Sequence, residues 1–501
     1  MAQGHIRKGF FFYFGLFVLL LVAVFCICLV IMMFNPGKTV LWMQYFTGDG
    51  SEVHVVETTD EKDQPINLAT LEDLEIKCSY ADVIVEKNDK NERADGLYII
   101  NNAKGFAIAA NNMPFSYDVH FENGNKKLIV DINESNGFLF FSKDVKVVVH
   151  ASADSAWNMN NLNLKVTTGD GNVDIGGNSM NRQRVIGLRT VNITTVKGNI
   201  GFSNSFSSES VVADPADNSE DKNYSFFVKT TSGKITSSKN IEGELAGLRL
   251  NCNMTLDIED RGNINLDVVD MPNNDLFLTC KYGSFDIRKI NAKRVSVYSI
   301  EGNHSFGIVN GILSYSSSGD SILAPNIMVD KINGDFVFAA TNDAGADPRI
   351  KIKEITGLVS VVAERGDLNV KKARNVNIQG NSLAVDVEFT ADCNRIDIIN
   401  QVGAVRLAFA GTVPNETNIQ TTTGGVFVKI TEGASFVATM KDNTTEGALV
   451  PNDRIAINIG DPMWGGQTKN PLNVNNGANR LNIKTNGGIN FEVVANDYFT
   501  A

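Results

Sequence analysis

The side chains best suited to chemistry in this 501-residue chain are five histidines, six cysteines and 57 carboxylates, and their spacing decides what they can do. His5, His54, His120, His150 and His304 stand singly. None has the His-x-x-x-His spacing that would put two imidazoles on one zinc ion. Cys26, Cys28, Cys78, Cys252, Cys280 and Cys393 contain no Cys-x-x-Cys pair and are too sparse for a disulfide framework. Cys252 and Cys280 could meet across neighbouring layers of a repeat structure, but small buried core residues account for all four outside the N-terminal apolar run.

Glycoside hydrolysis needs two carboxylates converging across a cleft, and abundance alone does not supply that. Arg349-Ile350-Lys351 matches a fragment of a polygalacturonase signature, yet no Gly-His-Gly or Asp-Asp element accompanies it, so the match reads as coincidence. No Gly-x-Ser-x-Gly elbow sits between a strand and a helix, and no phosphate loop is present. Gly169-Asp170-Gly171-Asn172-Val173-Asp174-Ile175 approaches the Gly-Gly-x-Gly-x-Asp repeat of calcium-binding β-rolls. That motif works in tandem and here occurs once, so an ordinary turn outweighs a calcium site. Asn192, Asn223, Asn253, Asn303, Asn415 and Asn443 head Asn-x-Ser/Thr triplets, which matter only where a glycosylation machinery meets them. No catalytic, cofactor-binding or metal-ligating residue is therefore expected, and the chain reads as non-enzymatic.

The elements that would position any site fall into two kinds of text. A net charge of -12 and a pI near 5.1 argue against a nucleic-acid or polybasic lipid binder. With 43% hydrophobic residues the chain can bury a core. Between Gly9 and Gly37 there is no charge, and residues 10–34 are apolar almost throughout. Such a stretch predicts an uncleaved transmembrane helix; a signal peptide would want a shorter apolar region and a small-x-small site, and Val24-Phe25 before Cys26 does not suit lipoprotein processing. Arg7 and Lys8 before it place residues 1–9 in the cytoplasm and everything after about residue 35 outside, with Trp42, Tyr45 and Phe46 as interfacial aromatics.

From residue 71 to 501 short period-2 runs alternate with Gly, Asn, Asp or Ser turns, the pattern of strands. Leu162, Leu164 and Val166 precede Gly169-Asp170-Gly171, and Val173 and Ile175 follow it; Gly366-Asp367 leads Leu368 and Val370 in the same way. Turns at Gly262, Gly283, Gly302, Gly319 and Gly334 recur at about the spacing of solenoid coils. A β-sandwich would give short strands too, but the pattern runs on without a domain boundary and only 11 prolines are available for linkers. The expected fold class is thus all-β, an elongated, β-helix-like β-solenoid ectodomain behind one N-terminal transmembrane helix. Residues 35–70 are expected to be a juxtamembrane stalk or cap, with the N-terminal cap near Thr47–Thr70 and the other at Val493–Ala501. Runs at 208–223 and 437–480 read as projecting loops. Trp464, in one of them, reads as a buried loop anchor before it reads as a sugar platform.

Leu74-Glu75-Ile76-Lys77-Cys78-Ser79-Tyr80-Ala81-Asp82-Val83 and the Thr-Thr-Gly-Asp-Gly-Asn-Val turn after Leu162 resemble the putative-adhesin domain of membrane-anchored bacterial surface proteins. Thr230-Thr231-Ser232-Gly233-Lys234-Ile235 and Thr421-Thr422-Thr423-Gly424-Gly425-Val426 repeat the same turn grammar. The resemblance implies a β-solenoid with an adhesive or envelope role and carries over no catalytic residue. The expected partners are the lipid bilayer, through the N-terminal helix, and a surface glycan or protein, with no nucleic acid and no cofactor. The location implied is the cell membrane, single-pass, with the body extracellular. A carbohydrate-active β-helix enzyme and a membrane accessory protein in envelope stress sensing are the alternatives.

Overall fold

The computed structural model describes residues 4–34, 44–47, 52–54, 70–88, 95–102, 104–107, 115–124, 126–134, 138–142, 144–152, 159, 162–176, 188–202, 206–207, 226–237, 248–318, 324–340, 347–411, 413–443, 448–450, 455–458, 472–474, 477–495 and 498–499. They form an all-β body preceded by one α-helix, Gly4–Phe34. In that helix the side chains described, residues 12–27, are all exposed. Among the described residues no helix is long and apolar enough to cross a membrane.

Alternation decides the body. In Asn163–Thr168 the side chains of Leu164, Val166 and Thr168 are buried and those between them face out, and the same parity repeats from strand to strand. Like positions then meet in register. One ladder passes from Leu74 to Leu164, Val191, Phe226 and Met254, all parallel. It reappears as Val295, Leu313, Phe336, Val359, Val376 and Ile396. A second ladder passes through Val83, Val173, Ile200, Ile235 and Ile264, and later through Phe306, Val329 and Ile352. A single cluster of buried aliphatic and aromatic side chains runs from Leu71 to Phe491 between them. Aromatic pairs such as Phe389 and Phe409, with centroids 5.0 Å apart, stack from one pass of the chain to the next.

The ends differ from the expected caps. At the N-terminal end both ladders finish in reversed strands. Phe115–Glu122 pairs antiparallel with Lys127–Glu134, and Glu52–His54 with Gly96–Asn101. A reversed edge strand stops further parallel addition. Within the proposed cap Thr47–Thr70, residues 55–69 lie outside the described residues. At the other end the last strands do not form the edge. Arg480–Lys484 lies between Glu416–Thr421 and Phe436–Lys441, and Ile489–Val494 lies between Val426–Thr431 and Ile455–Asn458. The outer layer therefore comes from 436–474, a run whose polar composition predicted loops. The run 208–223 and Trp464 lie outside the described residues. A separate three-stranded antiparallel sheet joins Gln44–Thr47, Lys104–Ala107 and Phe138–Ser142.

Candidate functional site

The corners between the two ladders place every outward side chain, and they are built by a four-residue grammar. A small polar residue three positions before the corner glycine turns inward and bonds a corner carbonyl. Thr195 Oγ1 donates to Gly198 O at 3.0 Å, Thr421 Oγ1 to Gly424 O at 2.7 Å, and Ser299 Oγ to Glu301 O at 3.0 Å. Asn400 Nδ2 donates to Leu383 O and Gly403 O at 2.7 and 2.9 Å. Each such side chain is buried, so the hydroxyl or amide satisfies a carbonyl that water cannot reach. The glycine is required because the layers touch there. A Cβ on Gly198 would fall on the carbonyl oxygen of Gly171, one on Gly233 on that of Gly198, and one on Gly283 on that of Gly262.

The Asn or Asp after the glycine works between layers. Asn199 N and Nδ2 donate to Asn172 Oδ1 at 3.0 and 3.2 Å, Asn172 N donates to Asp82 Oδ1 at 2.8 Å, and Lys234 N to Asn199 Oδ1 at 3.0 Å. Gly169–Ile175, the one calcium-like stretch, is part of this ladder. Among the described residues no group of three or more His, Cys, Asp or Glu side chains could hold a metal ion.

With the corners fixed, the outward faces of the two ladders differ in chemistry. On the first, one row carries Ser314, Val337, Ser360, Asn377, Asp397 and Asn418. Beside it run Ser316, Ala339, Val362, Gln379, Ile399 and Gln420. Asp397 is the single formal charge in these two rows, and Arg395 lies 3.6 Å from it. The rows lead into a hollow of about 350 Å³ lined by the amides of Asn418, Gln420 and Asn482, by Thr439, and by the charged Asp397, Lys441 and Lys484; in it Asn482 Nδ2 donates to Asn418 Oδ1 at 3.1 Å. At the opposite end of this face Glu75 is buried beneath Lys165, Lys127 and Lys77, at 2.9, 3.3 and 3.5 Å, and these lysines, Lys165 foremost, hold its carboxyl down at about 2.

The second face is charged. Its rows carry Asp386, Arg406 and Phe427 side by side, and next to them Glu388, Ala408, Lys429 and Glu492. A hollow of about 270 Å³ opens there, walled by Tyr498. Its charges are largely spoken for: Lys371 is 3.6 Å from Glu388, and Lys429 is 3.6 Å from Glu492 and donates to the Tyr498 hydroxyl at 3.2 Å. The guanidinium of Arg406 lies 5.4 Å from the Phe427 ring centroid. Asp386 and Glu388 are neighbours on one side of one strand, roughly 7 Å apart along it.

The residues singled out from sequence do not assemble. His150 is buried, with Nδ1 3.1 Å from Glu86 Oε1. His120 sits on the edge hairpin beside Asp118. His304 is wholly buried between Phe285 and Tyr315, both ring nitrogens lack a partner, and burial pushes its pKa down to about 3. Arg349-Ile350-Lys351 is ordinary strand, with Ile350 inward and Arg349 3.9 Å from Asp367. Cys78, Cys252, Cys280 and Cys393 are buried free thiols; burial pushes Cys252 and Cys280 up to about 11 and Cys393 to about 12. The corner column and the two unlike faces were missed. The Thr, Ser, Cys or Asn three residues before Gly171, Gly198, Gly233, Gly283, Gly302, Gly403 and Gly424 was the signal for the first.

No family model matches the chain, and no curated protein does. A solved structure from Bacteroides fragilis, described as a putative adhesin, aligns over 64% of this chain and 97% of its own at 12% identity with a TM-score of 0.23. A likeness at that level carries no argument about this chain.

Proposed function

We propose that the chain is a non-enzymatic, single-pass membrane-anchored surface protein whose β-solenoid body presents long, flat faces for adhesion or envelope scaffolding. The observation that carries this reading is the pair of in-register parallel ladders whose passes recur every 17 to 35 residues over most of their length, for example Val359 to Val376 and Val191 to Phe226. Passes that contact only their neighbours make a body that grows in length without thickening. Its outward rows are then long binding surfaces. The membrane anchor rests on the sequence alone, on the uncharged, almost wholly apolar run of residues 10–34. Its orientation, with the body outside the cell, rests on Arg7 and Lys8 preceding the apolar stretch.

The test is twofold, on the full chain. Protease added to intact cells should digest the body and leave a fragment that alkali does not strip from the membrane. The detergent-solubilised chain should co-sediment with isolated envelope polymers. A chain released by alkali, or one that sediments with none of those polymers, overturns the reading. A carbohydrate-active enzyme is the second reading, favoured by the carboxylates Asp386, Glu388 and Glu492 around one hollow. Turnover of an oligosaccharide, abolished by Glu388→Gln, would establish it.

A further inference from the structure

We propose that the uncharged rows of the first face bind an extended, uncharged polysaccharide laid across the strands, with the hollow at Asn418, Gln420 and Asn482 as its terminal subsite. The proposal rests on the surface-binding reading above and adds the ligand class and the face.

Three observations carry it. The first is spacing. Adjacent strands lie roughly 4.8 Å apart, so a chain laid across them meets a fresh hydroxyl or carboxamide at four of the six layers. Ser314, Ser360, Asn377 and Asn418 supply one row and Ser316, Gln379 and Gln420 the other. Amides and hydroxyls both donate and accept, as sugar hydroxyls do.

The second is charge. In a chain of net charge -12, two rows with one carboxylate, itself beside Arg395, are a local departure from the surface average. Before the hollow, where Lys441 and Lys484 lie, the rows themselves offer a polyanion no cation, and the protein as a whole repels it. A polycation finds a single carboxylate. A neutral chain loses nothing, and the second face, with its internally paired charges, offers it no comparable row. The third is the mixture of apolar and polar groups. Val362 and Ile399 stand 47% and 43% exposed on either side of Gln379 in their row, giving the C–H faces of sugar rings a surface to lie on. At the end of the rows the amide of Asn482 is held by Asn418, which fixes the groups lining the hollow before a ligand arrives.

The test titrates the full chain in detergent with neutral hexasaccharides of glucose, xylose, mannose and N-acetylglucosamine, β-1,4 linked, and with hexagalacturonate. At least one neutral hexasaccharide should bind, more tightly than its own trimer because it reaches more layers, and should shift the methyl resonances of Val362 and Ile399. The pair Asn418→Ala with Asn482→Ala should weaken it tenfold or more, Gln379→Glu should weaken it while leaving the melting curve in place, and Arg406→Ala on the second face should leave it unchanged. Equal binding by the Asn418/Asn482 variant, loss of binding on Arg406→Ala, tighter binding of hexagalacturonate, or no binding of any neutral hexasaccharide overturns the proposal. Any of these with co-sedimentation on envelope polymers retained removes the ligand and face assigned here and leaves the surface-binding function standing.

Discussion

Replacing Gly198 by alanine tests the corner construction at its tightest place. The new methyl would fall on Gly171 O, a backbone atom of the preceding layer, and Gly198 has no positive φ to add strain of its own. The layer must move away by an ångström or more. That shift breaks the bonds from Val196 N and Lys197 N to Gly169 O, both 2.9 Å, and from Asn199 N to Asn172 Oδ1. Three bonds at a net contribution of about 1 kcal/mol each give about 3 kcal/mol lost. Overcrowding of a packed site costs about 1–3 kcal/mol by itself, so the two views of the damage agree in size. Alanine also lowers the entropy of the unfolded chain, which offsets about 0.4–1 kcal/mol. A net loss of about 2–2.6 kcal/mol is expected. Gly201→Ala is the comparison: its Cβ would meet nothing closer than 3.6 Å, so it should not destabilise and should gain up to about 1 kcal/mol from the stiffer unfolded chain. Hydrogen exchange at Val196, Lys197 and Asn199, with the urea midpoint, reads both. Equal protection in the two variants would refute the claim that the corner carbonyls fill the space of the missing side chains.

Asn400→Leu should destabilise by about 2–4 kcal/mol, since it leaves Leu383 O and Gly403 O buried without a donor, and exchange at Leu383 N, which bonds Asn400 Oδ1, should accelerate first. His304 is neutral when folded and charges when unfolded. With a folded pKa of about 3 against an ordinary 6.5, stability is constant above 6.5 and falls by about 1.4 kcal/mol per pH unit below it until about 3; His304→Leu should abolish that slope. Glu75 acts in a lower window. Its carboxyl is held down at about 2 from an ordinary 4.5, so its contribution is complete above 4.5 and is lost as pH falls toward 2. Because its lysines reach into solvent, that contribution is about 1–2 kcal/mol, and Glu75→Gln should remove it from an acid titration followed by circular dichroism.

The inward half of the fold is written plainly in the chain. Leu162, Leu164, Val166, Val173 and Ile175 alternate in the text and all are buried. Alternation names the face of each residue but is silent on which strands are neighbours. Gly262, Gly283 and Gly302 do stack one on the next, whereas Gly334 belongs to another corner, with Gly311 and Gly357, so a single spacing list mixed two columns. The Asn and Asp after the corners bond the next layer, a pairing that only stacking distance decides. The two outward faces were illegible for the same reason. Ser360, Asn377 and Asn418 are unremarkable until register lines them up.

The placement of the final strands sets a condition on how the molecule is made. Strands 480–484 and 489–494 slide into a gap left between segments that were synthesised earlier. The far tip cannot close until residues 480–494 have been made and are free to pair. Losing those two strands would open a slot in mid-stack and strand Phe436–Lys441 and Ile455–Asn458 beyond it, without their bridge to the rest. These two strands serve as a bolt, and a chain without them carries two unpaired ladder edges where the folded body has a continuous wall.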